Sequence, residues 1–372
     1  MSNINILIKP ASGACNLRCR YCFYADEAMN RSVANYGLMS EETLEKVIAR
    51  AFEAADREIT FGFQGGEPTL CGLDFFKKAV ALQKKYAKKG VIVHNAIQTN
   101  GMLIDDEWAE FLAQNKFLTG LSVDGHMDNH DLYRVDAQGK GSFARVMKAA
   151  ETLEKHKAEF NVLTVVTADA ARKIRRIYSF FRKNNLLWQQ YIPCLDPLGE
   201  ERGHTPYALT PELYASFLKN LFDLWYEDVC AGRFIYIRYF ENLLGMMIGR
   251  PPESCGLSGQ CALQFVVEAD GGVYPCDFYV LDQHKMGNVY DQSFEEMALS
   301  APAKDFLAAP EVHEKCASCR YAPICRGGCR RDRDQGGKID LNYFCPAYEA
   351  FFEYALPRLG GSGEKNWKKM KF

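Results

Sequence analysis

The sequence predicts an α/β protein, a parallel sheet with crossover helices followed by a small cysteine-dense domain. Two observations carry this reading. From residue 4 to about 193, short β-rich apolar runs alternate with longer amphipathic stretches, the order that builds parallel sheets with short connections. After residue 200 the alternation stops, and from Cys255 the chain turns rich in cysteines and turns. That is expected of a small domain held by metal rather than by a large core. The 372 residues, 48% apolar and 25% charged, are ordinary globular composition, long enough for two domains and leaving little room for long disorder.

The expected strands are Ile4–Ile8, Glu58–Gln64, Val91–Gln98, Leu118–Val123, Phe160–Val166 and Trp188–Ile192. Helical patterns fall between them at 41–55, 73–88, 105–115, 142–157 and 169–184. The first helix opens with Ser40, a capping oxygen, followed by Glu41 and Glu42, acids that favour a helix N-terminus. Six strands suit a doubly wound sheet or an incomplete barrel, and in a barrel the chemistry sits on the loops after the strands. The unusual residues obey that rule. Cys15, Cys19 and Cys22 follow the first strand, Gly65-Gly66-Glu67-Pro68 the second, and Thr99-Asn100-Gly101 the third. Asp124-Gly125 follows the fourth strand and Leu195-Asp196-Pro197 the sixth. Beyond the sheet, 211–231 reads as an aromatic-rich helix and 234–238 as a strand. Gln264–Glu268 and Gly272–Tyr274 read as a hairpin turned by Ala269-Asp270-Gly271. The glycine-rich, lysine-bearing tail reads as a flexible end.

Charge and hydropathy exclude several classes. The 45 basic and 47 acidic residues give a formal charge of −2, against an electrostatically driven nucleic-acid binder. Met1 to Lys9 lacks the apolar core of a signal peptide, and the longest apolar run, around Leu243 to Gly249, is too short to span a bilayer. The expectation is a cytoplasmic protein without nucleic-acid or membrane partners. In that reducing compartment, fourteen cysteines imply metal binding or reactivity rather than disulfides. Eleven are clustered, and Cys71, Cys194 and Cys230 stand alone, as expected of small buried hydrophobes. His94, His126, His130 and His284 have no motif around them and read as structural or surface residues.

Cys15-x3-Cys19-x2-Cys22 is the sharpest signal. Three thiolates on one loop need a distant fourth ligand to make a structural zinc site. They suit a 4Fe–4S cube whose fourth iron stays open for a small molecule. Gly65 and Gly66, without side chains, let backbone approach a ligand closely. The later series is Cys255-x5-Cys261-x14-Cys276, Cys316-x2-Cys319-x5-Cys325-x3-Cys329, and Cys345, enough for two four-thiolate clusters or for a pair of zinc ribbons. Arg326, Arg330, Arg331 and Arg333 crowd the last of these and would offset the charge of a thiolate-ligated cluster.

The first cysteine motif, with Tyr21 and Phe23 beside Cys22 and with the strand-ending GGEP, resembles the radical S-adenosylmethionine (SAM) enzymes. The later cysteines, with Gly271 between Cys261 and Cys276, resemble their SPASM extension. The stretches LIKPAS, FGFQGGEPTL, QTNG, LSVDG, CLDPL, NLFDLWYED, VYPCDFYVL, CRGGCRR and EAFFEYALPRL look like anaerobic sulfatase-maturating enzymes, from about residue 6 to 358. The resemblance implies a partial (β/α)6 radical SAM barrel with its following helix over 1–232, a C-terminal SPASM domain over 233–358, and a basic tail at 359–372.

It further implies three 4Fe–4S clusters: Cys15, Cys19 and Cys22 on the first, Cys255, Cys261, Cys276 and Cys329 on one auxiliary cluster, and Cys316, Cys319, Cys325 and Cys345 on the other. Tyr24, Gly66, Ser122, Arg134 and Leu195 match the family's SAM contacts, and Gln64 and Gly65 belong to the same pocket. Asp277, directly after Cys276, matches the base that takes the substrate proton. The implied reaction is oxygen-independent oxidation of a Cys or Ser in a sulfatase motif (Cys or Ser, any residue, Pro or Ala, any residue, Arg) to Cα-formylglycine. The partners are the sulfatase polypeptide and a reductant such as flavodoxin or ferredoxin. A peptide maturase installing a thioether, a carbon–carbon link or an epimerised centre is the competing expectation. Many such enzymes carry a leader-recognition domain before the barrel, whereas here the first strand begins within a few residues of Met1, which favours the sulfatase reading.

Overall fold

The structure is a computed structural model that describes residues 1–309 and 311–360. The tail expected at 359–372 lies outside the described residues from position 361 onward. The strand–helix alternation is realised. In order come β1 (Asn3–Ile8), α1 (Phe23–Met29), α2 (Glu41–Ala54), β2 (Glu58–Phe63), α3 (Leu73–Tyr86), β3 (Ile92–Thr99), α4 (Asp106–Gln114) and β4 (Phe117–Ser122). Then follow α5 (Met127–Tyr133), α6 (Phe143–Lys155), β5 (Phe160–Val166), α7 (Ala168–Arg172), α8 (Ile174–Lys183) and β6 (Trp188–Pro193). The later part contributes α9 (Pro211–Cys230), β7 (Tyr236–Ile237), α10 (Arg238–Met247), β8 (Val266–Val267), β9 (Gly272–Tyr274) and β10 (Gly287–Asn288), and the last described helix is Cys345–Gly360.

Local chemistry accounts for the boundaries. Ser40 accepts the Thr43 amide at 3.0 Å and starts α2. The pattern expected as one helix over 169–184 breaks at Lys173, whose amide is shared between the carbonyls of Asp169 and Ala170, each at 3.1 Å. Such a tightened turn ends α7 and separates it from α8. The short α1 and α5 carry too few periodic positions to be seen in the sequence.

The chain forms two compact units that do not follow chain order. The first comprises Met1–Val123, Asp131–Phe160 and Ala262–Ala308. Its strands run β10-β9-β8-β1-β2-β3-β4. β1, β2, β3 and β4 are parallel, with Ile8 opposite Phe63 at the end of the first pair. Ile4, Ile6 and Ile8, then Ile59, Phe61 and Phe63, are buried in strict alternation, the period-2 pattern of a strand presenting one face to a core. The hairpin β8–β9 joins the same sheet, because β8 lies parallel to β1 with Leu7 opposite Val266 and Ile8 opposite Val267. Its Val266 and Tyr274 pack with Val280 and Leu7 in an apolar cluster.

The second unit comprises Asp124–His130, Asn161–Cys261 and Ala309–Phe372. Within it β6 pairs parallel to β5 and to β7. The aromatic face of α9 packs on the helix Cys345–Gly360, with Phe222 edge-on to Phe351 at 6.0 Å. Cys194 is buried as expected, but Cys230 is exposed at the end of α9. It falls on the last residue of the helix, outside the apolar stripe that ends with Trp225. Among the described residues, no helix is long and apolar enough to cross a membrane.

Phe76 is fully buried between Phe63 (5.0 Å) and Trp108 (5.1 Å). Phe76→Ala should cost about 3–5 kcal/mol through lost burial and the cavity left behind. The midpoint of chemical denaturation checks this, and a loss below about 1 kcal/mol would mean that the core closes around the gap.

Candidate active site

The loop after β1 carries Cys15, Cys19 and Cys22, and backbone hydrogen bonds hold it on two sides. The amides of Arg18 and Arg20 donate to the carbonyls of Val135 and Tyr133 at 2.6 and 3.0 Å. The Glu67 amide donates to the Ala14 carbonyl at 2.8 Å, joining the loop to the Gly-Gly turn that follows β2. A methyl group at Gly66 would collide with the Ala14 carbonyl oxygen and sit 2.9 Å from that of Ser12. Gly65 has a φ of +85°, and a methyl there would lie 2.6 Å from Cγ of Lys9. Both positions need glycine, one for close backbone approach and one also for its left-handed conformation.

Glu67 is buried and fully used. Oε1 accepts from the Thr69 amide, Thr69 Oγ1 and Thr99 Oγ1 at 3.1, 2.6 and 2.7 Å, and Oε2 accepts the Asn100 amide at 2.8 Å. The carboxylate therefore ties the turn after β2 to the loop after β3. Asn100 in turn directs its amide toward Cys15 Sγ at 3.7 Å, and the Leu17 amide donates to the same sulfur at 3.4 Å. Burial pushes the Cys15 thiol up to about 11. Such a thiol is a poor nucleophile but becomes a thiolate when a coordinated cation displaces its proton. Together, a three-thiol loop and amide donors to sulfur fit a 4Fe–4S cluster.

Next to the Gly-Gly turn, three expected site residues meet. Tyr24 donates its hydroxyl to Asp277 Oδ2 at 2.6 Å, and the side-chain amide of Gln64 donates to the same oxygen at 2.8 Å and also to the Tyr24 hydroxyl. Oδ1 of Asp277 is buried without a hydrogen-bond partner. A buried polar atom left so is either costly or waiting for a ligand. Burial raises the proton affinity of Asp277, opposed by the nearby Lys9 charge and by the bonds from Tyr24 and Gln64. Tyr24 is held well above the usual phenol range by burial and by Asp277, so it stays a donor.

Beneath this group lies a charge cluster that sequence reasoning missed. Lys9 Nζ pairs with Glu27 at 2.9 Å and Glu268 at 3.2 Å, and Arg31 pairs with Glu268 at 2.6 Å, all of them buried. A lysine at the end of an apolar strand was the only available signal, because its partners are distant in the chain.

Ser122 ends β4 and accepts from Gln98 Nε2 at 3.1 Å, and the Arg134 guanidinium lies over the Tyr21 ring at 5.5 Å. Leu195 follows β6 in the second unit. That unit also brings cysteines together. Cys325 lies within electrostatic reach of Cys316, Cys319 and Cys345, and Cys329 of Cys255 and Cys261. Cys276, just past β9, belongs to the first unit. Among the described residues, no three thiols, imidazoles or carboxylates converge as they would on a single ion. A cubane cluster takes one thiolate at each of four irons. The arginines divide their work: Arg330 and Arg333 draw the Cys261 thiol back down against the rise caused by burial. Arg331 is buried and donates to the Asp196 carbonyl at 3.1 Å, with its own amide on Cys329 Sγ at 3.4 Å.

Burial lifts the Glu27 carboxyl to about 7 despite Lys9. A folded value above the unfolded one gives stability that is complete below about 4.5 and is lost as pH rises through about 7. Glu27→Gln should therefore flatten the decline of the thermal midpoint between about pH 5.5 and 8. Thermal melts of both proteins across that range check it, and parallel profiles would count against this assignment.

Comparison with known proteins agrees with the geometry. The radical SAM superfamily matches residues 10–180, and the iron–sulfur cluster-binding domain called SPASM matches residues 259–320. A cysteine-type anaerobic sulfatase-maturating enzyme of Clostridium perfringens is 48% identical over 362 residues, covering 96% of this chain and 98% of its own. The solved structure of anSMEcpe with bound AdoMet superposes with a TM-score of 0.93 at 47% identity, covering 98% of this chain and 99% of that one. The same enzyme with AdoMet and the Cp18Cys peptide gives 0.93 at 46% identity, with the same coverage. The fold is thus the radical SAM α/β fold with a SPASM domain, its cofactors are 4Fe–4S clusters and SAM, and the chain belongs to the anaerobic sulfatase-maturating enzymes.

Proposed function

We propose that this chain oxidises a cysteine in the active-site motif of a sulfatase to Cα-formylglycine without oxygen. The observation that carries the chemistry is Asp277: a sealed carboxylate with one oxygen fixed by two donors and the other left open. The choice of cysteine follows the cysteine-type relative and the peptide-bound structure named above.

Cys15, Cys19 and Cys22 would hold the cluster that binds SAM, and the pair, when bound, supplies a hydrogen-abstracting deoxyadenosyl radical. Gly65 and Gly66 let the turn pack against Lys9, Ser12 and Ala14, and the backbone of the turn so held would meet the SAM amino group. Ser122 is placed at a strand end for ribose hydroxyls, Arg134 is the cation for the carboxylate, and Leu195 is assigned by resemblance alone. Tyr24 matches a SAM contact, and its hydroxyl together with Gln64 also orients the base. Oδ1 of Asp277 accepts the thiol proton as the substrate Cβ loses its hydrogen. The remaining electron leaves, giving a thioaldehyde that water converts to the aldehyde with release of hydrogen sulfide. Low exposure of Asp277 suits this step, because water would otherwise compete for the proton.

The eight later cysteines would hold two auxiliary clusters, which supply an electron acceptor of the right class. Along the chain we assign 1–232 to the SAM-binding part and 233–358 to the auxiliary-cluster part. The reductant is an external low-potential carrier such as flavodoxin or ferredoxin, and the compartment is the cytoplasm, in keeping with many unpaired thiols.

Anaerobic incubation with SAM, dithionite and a peptide containing Cys-x-Pro-x-Arg tests the proposal, with mass spectrometry of the product. An aldehyde is expected, and a crosslinked or unchanged peptide would reject it. Asp277→Asn should lower aldehyde formation by about 10²–10⁴-fold while 5′-deoxyadenosine still forms. Normal turnover in that variant would remove the base assignment.

A further inference from the structure

Lys9 stands where the two halves of this site meet, and nothing in the chemistry above uses it. It follows Ile8 at the end of β1, is 2% exposed, and its backbone amide donates to the Val267 carbonyl at 2.8 Å. Its stem runs flat against Gly65. A methyl on that glycine would lie 2.6, 2.8 and 2.9 Å from Cγ, Cε and Cβ of Lys9. The stem therefore fills the space above the turn that cradles the cofactor. Its ammonium is clamped between Glu27 and Glu268 and lies 5.1 Å from the centroid of the Tyr24 ring, whose hydroxyl holds Asp277. Both clamping carboxylates are themselves fixed, Glu27 by the Val280 amide at 2.8 Å and Glu268 by Arg31 and by the Ala269 amide.

The arrangement is expensive to bury. A sealed ion pair is often no more stabilising than apolar side chains of equal volume. A methionine would fill the same space against Gly65, so packing alone gives no reason for an ammonium here. Electrostatics does. Glu27 and Glu268 pair with two cations, Lys9 and Arg31, and of these two cations Lys9 is the one that lies over the Tyr24 ring and whose charge reaches Asp277. An ammonium held against an aromatic face is attracted to the ring's electron-rich surface and so helps to fix the ring's placement.

We infer that Lys9 is a positioning residue: its ammonium fixes the Tyr24–Asp277 pair while its stem fixes the Gly65–Gly66 turn, so that one side chain couples base to cofactor. The inference rests on the reading of Asp277 as the base.

The test separates stem from charge in the reconstituted enzyme. In Lys9→Met the stem remains. The SAM dissociation constant, read from the SAM-induced change in the reduced cluster's electron paramagnetic resonance spectrum, should stay within about twofold of wild type. Formylglycine formed per 5′-deoxyadenosine should fall by about tenfold or more, a loss of about 1.4 kcal/mol in the coupled step. Lys9→Ala removes both and should weaken SAM binding as well. Should Lys9→Met fold poorly because Glu27 is left unpaired, the double variant Lys9→Met/Glu27→Gln removes the pair together, and uncoupling must persist there. A folded Lys9→Met or double variant with the wild-type ratio would overturn the inference. Wild-type enzyme in the same assay keeps the two readings apart: no aldehyde from it would sink the function, whereas aldehyde with undisturbed coupling in the variants sinks only the role of Lys9.

Discussion

A carboxylate that must accept a proton out of contact with water faces opposing demands. Burial alone would leave it protonated and useless as a base, and full solvation would let water compete. In the role proposed for it, Asp277 divides its two oxygens between these demands. One is saturated by Tyr24 and Gln64, and the other is kept free. This division depends on a long-range backbone event. The hairpin β8–β9 pairs along β1, so Asp277 arrives beside residues 213 and 253 positions earlier in the chain. The apolar cluster of Val266, Tyr274 and Val280 against Leu7 holds that edge in register, and a slip of one residue would turn its inward side chains outward.

The same economy governs the loops at the strand ends. Glu67 spends its whole carboxylate on four donors, so the loops after β2 and β3 are tied to each other. Its buried charge is satisfied entirely by amides and hydroxyls, without a cation. Asp277 differs by having an open oxygen, and Glu27 and Glu268 differ by having ammonium and guanidinium partners. Four buried carboxyl groups in one unit thus do different work, decided by what each is bonded to rather than by its identity.

Much of this was legible in the sequence for physical reasons. Alternation in Ile4–Ile8 and Glu58–Phe63 reported one buried face, and Ser40 reported a helix start. Cysteine spacing, the Gly-Gly turn and the residue after Cys276 could be singled out as candidates because each is a short local pattern. What escaped was non-local. Val266 and Val267 read as half of a hairpin, but no periodicity says that the hairpin adds to the first sheet. Lys9, Glu27, Arg31 and Glu268 carry complementary charges at separations that no window spans. The break at Lys173 depends on one shared amide, invisible in an otherwise continuous helical pattern.

The approach of Gly66 to the carbonyl oxygens of Ala14 and Ser12 has an evolutionary corollary. Two motifs fifty residues apart touch through bare backbone, so neither has slack to absorb a change in the other. Lineages drifting from a common ancestor are then expected to inherit them as a single module. A chimera that borrows the cysteine loop from one homologue and the glycine turn from another joins surfaces that were never fitted together.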